Sequence, residues 1–403
     1  MSDRFDDYKW LITPQAEAWL SETIGRRESG ENFLRISKWL RKQFSPERSA
    51  LILELVQNRS RAIRKFERAE QMFFTRASLE MATDQWIAHY KARRFRNFRS
   101  VADVCCSIGG DLISMASMQK AGRCTGYDSE ALAVLYANAN LESHGLTNAR
   151  AVQKPLAEIN VDEHDAFHVD PDRRKHGRST RGNSFSPSLD EVFEQLGLVE
   201  ALGIKVAPAT PPQQNLSTEM EREWIGRRRE CKQQMIWCGD LANNPGCRVA
   251  TRLGKSGSVT SFALPESEVE SKTTPVATSI QQYVYEPHNV LLASGLADAL
   301  ASQLGLEKVA SDVFYFTSDS RIKNRLLSRF KVARCMKANV KSVGQAFQDA
   351  GFGDLEVKKR GITEAVAEKY KRIQLKGIGR GTLLLCPFAG QVTAIVASRE
   401  SSA

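Results

Sequence analysis

Nowhere in the 403 residues do two cysteines stand in a C-x-x-C pair, although the chain has eight of them. A zinc ribbon is therefore not its organising element, and the six histidines show no metal-ligand spacing, so no metal is expected. Long apolar runs are missing too. The longest, Val290 to Leu300 and Thr382 to Phe388, fall well short of the roughly 18 to 20 residues needed to cross a bilayer. The opening MSDRFDDYKW carries three aspartates and no apolar core. It does not read as a signal peptide, and a cytoplasmic location with reduced thiols is expected. Internal repeats and low-complexity tracts are absent as well.

What the chain has is ordinary globular composition with an excess of positive charge. The apolar share of 42% and charged share of 26% suit a folded protein of two or three domains. The formal net charge of +10 favours a polyanionic partner, because surface charge speaks to association rather than to fold. Arg59, Arg61, Arg64, Lys65 and Arg68 stand close together, as do Lys91, Arg93, Arg94, Arg96 and Arg99, and a third set runs from Lys358 to Arg380. A solvated helix face and an RNA-facing surface are both open for each.

Residues 1 to 98 read as helical. Thr13-Pro14 and Ser45-Pro46 each place a capping hydroxyl before a proline at the first helical position, where the missing N–H costs nothing. From residue 99 the period changes. Short β-rich runs at Val101 to Cys105, Cys124 to Tyr127, Ala151 to Gln153, Ala166 to Val169 and Leu202 to Ala207 alternate with helical stretches. That alternation predicts βαβ units and a parallel sheet over residues 99 to 254, with Gln234 to Cys238 and Cys247 to Thr251 bringing it to about seven strands. The polar stretch 255 to 280 reads as a linker, and 281 to 403 as a compact α+β module.

The strongest chemical signal is D-V-C-C-S-I-G-G-D, Asp103 to Asp111, at the end of the first strand. A glycine pair at a strand-to-helix turn lets backbone approach a ligand closely. Asp128 follows Gly110 by eighteen residues, at the end of the second strand, where a carboxylate can accept both hydroxyls of a ribose. Dinucleotides and S-adenosylmethionine both use such a pair. Cys105 and Ser107 stand where a pyrophosphate-binding loop wants glycines, which weakens the first. Methionine's tail bears no phosphate, and Asp103 could meet its ammonium group.

These residues resemble those of class I S-adenosylmethionine-dependent methyltransferases, most closely the branch like trimethylguanosine synthase, whose first motif reads D-x-F-C-G-x-G-G. The match takes in Asp103, Cys105, Ile108, Gly109 and Gly110, with Cys106 and Ser107 as departures. It extends to H-V-D-P-D-R-R, His168 to Arg174, where amino-group methyltransferases carry Asp/Asn/Ser-Pro-Pro-aromatic. Asp170 and Pro171 match, while Asp172 replaces the second proline and Arg173 the aromatic. From Tyr283 to the end the chain resembles a THUMP-like domain, a relative of RNA-binding modules.

The resemblance implies an α/β chain: a Rossmann-like methyltransferase sheet, an N-terminal helical segment and a C-terminal α+β THUMP-like domain. It implies S-adenosyl-L-methionine as cofactor, held by Asp103, Cys105, Gly109, Gly110 and Asp128. It also implies an RNA base amine as acceptor, guanine N2 first. Asp170 and the Pro171 carbonyl would accept the amine's two hydrogens so that its nitrogen becomes pyramidal. Arg173 would stack on the base or clamp a phosphate. Two alternatives stand beside this: an RNA-binding protein whose methyltransferase fold has lost turnover, and a methyltransferase of a protein or small molecule. His168 reads as structural.

Overall fold

The computed structural model describes residues 2–119, 122–172, 186–197, 199–211 and 219–400. The chain divides into two compact units, residues 1–206 with 235–245 and residues 207–234 with 246–403. The helical segment 1–98 thus shares a unit with the sheet that follows it.

The first unit opens with α1 (Ser2–Leu11), α2 (Pro14–Glu28), α3 (Phe33–Leu40), α4 (Pro46–Ala62), α5 (Arg76–Met81) and α6 (Gln85–Phe95). The two hydroxyl-proline starts cap as their chemistry dictates. Thr13 Oγ1 accepts from the Ala16 amide at 3.4 Å and Ser45 Oγ from the Arg48 amide at 3.2 Å. Toward the end of this segment α5 and α6 are separate helices, each with its own cap, at Thr75 and Asp84.

The sheet strands are β1 (Ser100–Val104), β2 (Arg123–Asp128), β3 (Ala149–Gln153), β4 (Ala166–Val169) and β5 (Ala201–Val206). Between them stand α7 (Gly110–Met118), α8 (Ala131–Ser143) and α9 (Leu189–Leu196). All four pairings are parallel, β2 with β3, β1 with β2, β1 with β4 and β4 with β5. The strand order is therefore 3-2-1-4-5. The direction of winding reverses between β1 and β4, and in open α/β sheets ligands bind outside the carboxyl ends of the strands at that reversal.

In the second unit, β6 (Glu221–Arg227) pairs in parallel with β8 (Cys247–Leu253), which pairs antiparallel with β9 (Val259–Pro265); β7 (Glu230–Gly239) lies across the division of the chain. The expected linker 255–280 thus contains β9 and a short helix, α10 (Glu266–Val269). The remaining strands are β10 (Tyr283–Pro287), β11 (Glu307–Ala310), β12 (Val313–Ser318), β13 (Leu327–Lys337), β14 (Phe352–Lys359), β15 (Gly379–Phe388) and β16 (Gln391–Glu400). They form one sheet in the order 11-12-10-13-16-15-14, antiparallel except for β14 with β15. Alternation along β15 explains its two cores. Leu383 and Leu385 face a cluster with Val343, Phe347 and Tyr370, while Leu384 and Cys386 face one with Tyr315 and Phe330. All eight cysteines are free thiols, and burial pushes Cys386 up to about 12, which suits a thiol acting as a small hydrophobe.

Gly203 on β5 is a packing glycine of the first unit. A Cβ there would lie 2.6 Å from the Trp237 ring and 3.3 Å from Phe95. Both rings are among the largest fully buried side chains, so neither can give way cheaply. Gly203→Ala should destabilise the chain by about 1 to 3 kcal/mol, the cost of overpacking a filled core. Urea unfolding monitored by tryptophan fluorescence measures it; an unshifted midpoint would show that the rings move freely.

Candidate functional site

The loop from Cys105 to Gly109 leaves β1 at the point of strand reversal and turns into α7. Cys105, Ser107 and Gly109 have φ of 59°, 49° and 81°, a left-handed series that costs non-glycine residues energy unless the surroundings hold them. They are held. The Cys106 amide donates to Tyr127 O at 3.0 Å, the Ser107 amide to Asp128 Oδ2 at 2.9 Å, and Asn140 Nδ2 to Ile108 O at 2.9 Å. Asp128 Oδ1 accepts from the Glu130 amide at 2.9 Å. Gly126 lets β2 approach the loop, since a Cβ there would stand 2.7 Å from Leu112 Cδ2 and 2.9 Å from Cys106 Sγ. Asp128 therefore braces the loop and stays half-exposed at the end of β2.

The sequence expectations for this loop change in two respects. Cys105, counted among the matching residues, stands where the family motif has phenylalanine, and the motif's cysteine falls on buried Cys106. Gly110 is not forced by space, because its Cβ would find only ordinary contacts at 3.7 Å, whereas Gly109 is required by its φ.

Asp103 is 1% exposed and forms the start of a chain of buried polar groups. Its Oδ1 lies 2.7 Å from His168 Nδ1 on the neighbouring strand β4. A carboxylate can only accept, so Nδ1 carries the proton and Nε2 faces outward as an acceptor. That nitrogen meets Lys91 Nζ of α6 at 3.0 Å. Lys91 is itself 2% exposed and pairs with Asp111 Oδ1 at 2.8 Å in the first turn of α7. Asp111 Oδ2 accepts from Thr83 Oγ1 at 2.8 Å, and Lys205 Nζ of β5 donates to Thr83 Oγ1 at 3.0 Å and to Asp170 Oδ2 at 2.6 Å. One chain thus links the strand acid of the glycine motif to the acid that follows β4.

The charges along it bias one another. Burial lowers the Lys91 pKa, with Asp111 pulling the other way. Burial also works against the Asp111 carboxylate, but the charges of Lys91 and Lys205, with the Lys91 hydrogen bond, outweigh it and hold Asp111 well below the usual carboxylate range. Asp103 is raised by burial, against the pull of His168. Its Oδ2 is buried and has no hydrogen-bond partner among the described residues.

Asp170 is anchored by its amide, which donates to Val104 O at 3.1 Å, so the residue after β4 sits against the end of β1. Pro171 is buried, and Asp172 forms a two-way backbone bridge with Ser186 at 3.1 and 2.7 Å. Arg173 lies outside the described residues. The structure thus gathers Asp103, Cys105, Gly109, Gly110, Asp128 and Asp170 around the ends of β1, β2 and β4.

Sequence reasoning missed Lys91, Thr83, Asp111 and Lys205, and read His168 as merely structural. One signal was available. Ile87, Ala88, Ala92 and Phe95 form the buried stripe of α6, and position 91 falls on that stripe rather than on either exposed surface expected for its basic set. Among the described residues no cluster of metal-ligating side chains occurs.

Comparison with known proteins agrees with this architecture. A family model described as THUMP domain-like matches residues 327–399, β13 to β16. A crystal structure from Porphyromonas gingivalis W83, classed by inference as a methyltransferase, is similar with a TM-score of 0.76 at 19% identity, over 99% of this chain and 99% of that one. At that identity the likeness shows the fold. Coclaurine N-methyltransferase (TM-score 0.25, 15% identity, 48% of this chain and 63% of that one) and the Pyrococcus abyssi tRNA (uracil-54, C5)-methyltransferase (TM-score 0.24, 19%, 34% and 30%) match too loosely to carry an argument. The comparison with curated proteins returned no match.

The buried chain generates a stability prediction with a sign. Asp111 titrates lower in the folded chain than its unfolded value of about 3.9, so its pairing adds stability above about pH 4 that is lost as pH falls toward the folded value. Lys91→Met removes the cation and strands Asp111, which should cost about 3 to 5 kcal/mol at neutral pH. Urea midpoints at pH 7 test this; a variant within about 1 kcal/mol of wild type would show that the chain does not need its central charge.

Proposed function

We propose that the first unit transfers a methyl group from S-adenosyl-L-methionine to an exocyclic amine of an RNA base, guanine N2 being the first candidate. The observation that carries this reading is the braced loop between β1 and α7 with two acids, Asp128 and Asp170, at neighbouring strand ends on the sheet's reversal. The residues fit the cofactor. Asp128 is half-exposed and its carboxylate can accept ribose hydroxyls while it braces the loop, and Asp103 keeps an unpartnered buried oxygen toward which an ammonium group could be drawn. Gly109 and Gly110 present backbone amides without side chains, and Cys105 contributes its place in the turn.

When bound, the cofactor supplies an electrophilic methyl group on a sulfonium, open to displacement by a nitrogen lone pair. The chain's task is to present that lone pair. An amine conjugated to a purine ring is planar and a poor nucleophile, and hydrogen bonds from its two N–H groups to the Asp170 carboxylate and the Pro171 carbonyl favour a pyramidal nitrogen. Lys205 orients the Asp170 carboxylate through Oδ2, which leaves Oδ1 for the amine. Pro171, with φ fixed by its ring, keeps the carbonyl in place. Arg173 stands where the family carries its aromatic ring, so the base needs a platform other than a ring, and Arg173 is the candidate by its planar guanidinium. That same departure favours the second reading, an RNA-binding protein that retains the fold without turnover.

Calorimetry with S-adenosylhomocysteine separates the two, since a scaffold without turnover need not bind it. Asp128→Ala should weaken that binding by about 1.5 to 3 kcal/mol, the value of a hydrogen bond to a charged group; unchanged affinity in a folded variant would take Asp128 out of the site. Asp170→Ala should bind the cofactor as wild type does, yet slow single-turnover transfer of labelled methyl to total cellular RNA by at least about a hundredfold. Equal rates would remove Asp170 from the reaction.

A further inference from the structure

The net positive charge of the sequence is not spread evenly over surfaces free to meet a polyanion. In the C-terminal set, Lys358 and Arg360 both face Glu286, at 2.5 and 3.7 Å, Lys359 and Lys371 share Glu364, at 3.1 and 3.3 Å, and Arg380 meets Asp354 at 3.2 Å. Each of these cations already has an acidic partner within the module. The helical set divides differently from the expectation of one basic face. Arg59 is buried against both oxygens of Glu17, at 3.0 and 3.1 Å, and Lys65 Nζ is spent on the carbonyls of Leu79, Glu80 and Ala82.

Arg61, Arg64 and Arg68 are left, Arg68 bonded to Gln71 Oε1, and the fold brings the first two a set of neighbours that the sequence does not show. With Gln57 and Ser60 of α4, Arg27 from the last turn of α2 and Phe33 at the start of α3, they line an open cavity of about 490 Å³. None of its lining residues is acidic, and none of the three guanidinium groups makes an ion pair among the described residues. Arg27 donates to Ser60 Oγ at 2.9 Å, which fixes it on the wall of the cavity, and its guanidinium lies 5.1 Å from the centre of the Phe33 ring. Phe33 keeps 38% of its surface exposed, and the neighbouring Leu34 66%. Exposed apolar and aromatic surface beside uncompensated arginines is costly to leave to water and is the composition of a surface with a partner.

We propose that this cavity binds single-stranded RNA, Arg61 and Arg64 engaging backbone phosphates and the Arg27–Phe33 pair forming a platform for one base. Guanidinium forks match phosphate oxygens, an aromatic face stacks on any base, and a cavity of this volume accommodates a nucleotide. An acidic peptide would use the arginines but leave the ring without a role. The inference rests on the reading that the acceptor is RNA, and it places the grip on that RNA in the N-terminal helices rather than in the THUMP-like module.

The test is fluorescence anisotropy with a labelled single-stranded RNA 12-mer of mixed sequence, without cofactor, over a salt series. Arg61→Gln with Arg64→Gln should weaken binding at least about fivefold and make the log–log salt slope shallower by about 1.4, or roughly 0.7 for each phosphate no longer neutralised. Phe33→Leu should weaken binding without altering the slope, and Lys358→Gln with Arg360→Gln should change neither. Circular dichroism melts confirm that each variant is folded. Wild-type binding that survives the arginine pair with an unchanged slope would overturn this site and leave the acceptor reading intact; wild type that binds no RNA but binds polyglutamate would overturn both in favour of an acidic protein. Methyl transfer plays no part in the measurement, so an inactive enzyme that still binds through these residues would sink the catalytic reading alone.

Discussion

The ammonium group of Lys91, buried between an imidazole and a carboxylate, is the interaction on which the first unit depends. Removing a cation from water costs several kcal/mol, and only near-ideal partners return that energy. Lys91 has His168 at 3.0 Å and Asp111 at 2.8 Å, one from β4 and the other from α7. Because α6, α7 and β4 must each be in place for the charge to be paired, the lysine fixes a helix preceding the sheet to the two elements that frame the reversal. An apolar core could have packed these elements with less electrostatic cost, but it would tolerate small slips that a hydrogen-bonded charge does not.

How far the sequence disclosed this depends on the range of each interaction. The hydroxyl-proline helix starts, the β1–α7 turn and Asp128 are local: a cap or a turn is decided by residues within four positions, and the chain spells them out. Lys91 was hidden because it stands in K-A-R-R-F-R, where charge suggests solvent and only the helical stripe through Ile87 and Phe95 tells otherwise. Lys205 and Thr83 are 122 residues apart and meet only after the sheet is wound. Strands were missed for a related reason. In β6 the buried run E-R-E-W-I-G contains Glu221 and Glu223 at 0% exposure, and β13 reads L-S-R-F-K-V-A-R-C-M-K, so both look polar although both are paired. The stretch 255–280 looks like a linker because β9 has one face in solvent, which reduces its apolar content by half.

Charge shows the same contrast between composition and arrangement. A net charge names a class of partner, but the partner meets only those cations whose fields are not cancelled nearby. Glu286 of β10 faces both Lys358 and Arg360, a contact made only by the folded module and invisible in the spacing of the basic residues. Arg61 and Arg64 escape such cancellation because the helices around them contribute an arginine and a phenylalanine instead of an acid.

The buried chain also bears on how the two halves of the proposed site act together. It holds three carboxylates, Asp103, Asp111 and Asp170, against two ammonium groups, Lys91 and Lys205, with His168 between. With a neutral imidazole the set carries one negative charge more than it balances, and the uncompensated side is the Asp103 end, where Oδ2 has no hydrogen-bond partner among the described residues. A cation brought to that end completes the pairing without any proton moving. The same end is tied through His168, Lys91, Asp111 and Thr83 to Lys205, so the chain is continuous from the glycine motif to β5. Lys205 in turn holds the Asp170 carboxylate by Oδ2, at 2.6 Å. The acid proposed to meet the cofactor and the acid proposed to meet the amine are thus held by one connected set of buried groups, so a change at either end reaches the other through hydrogen bonds rather than through loose packing.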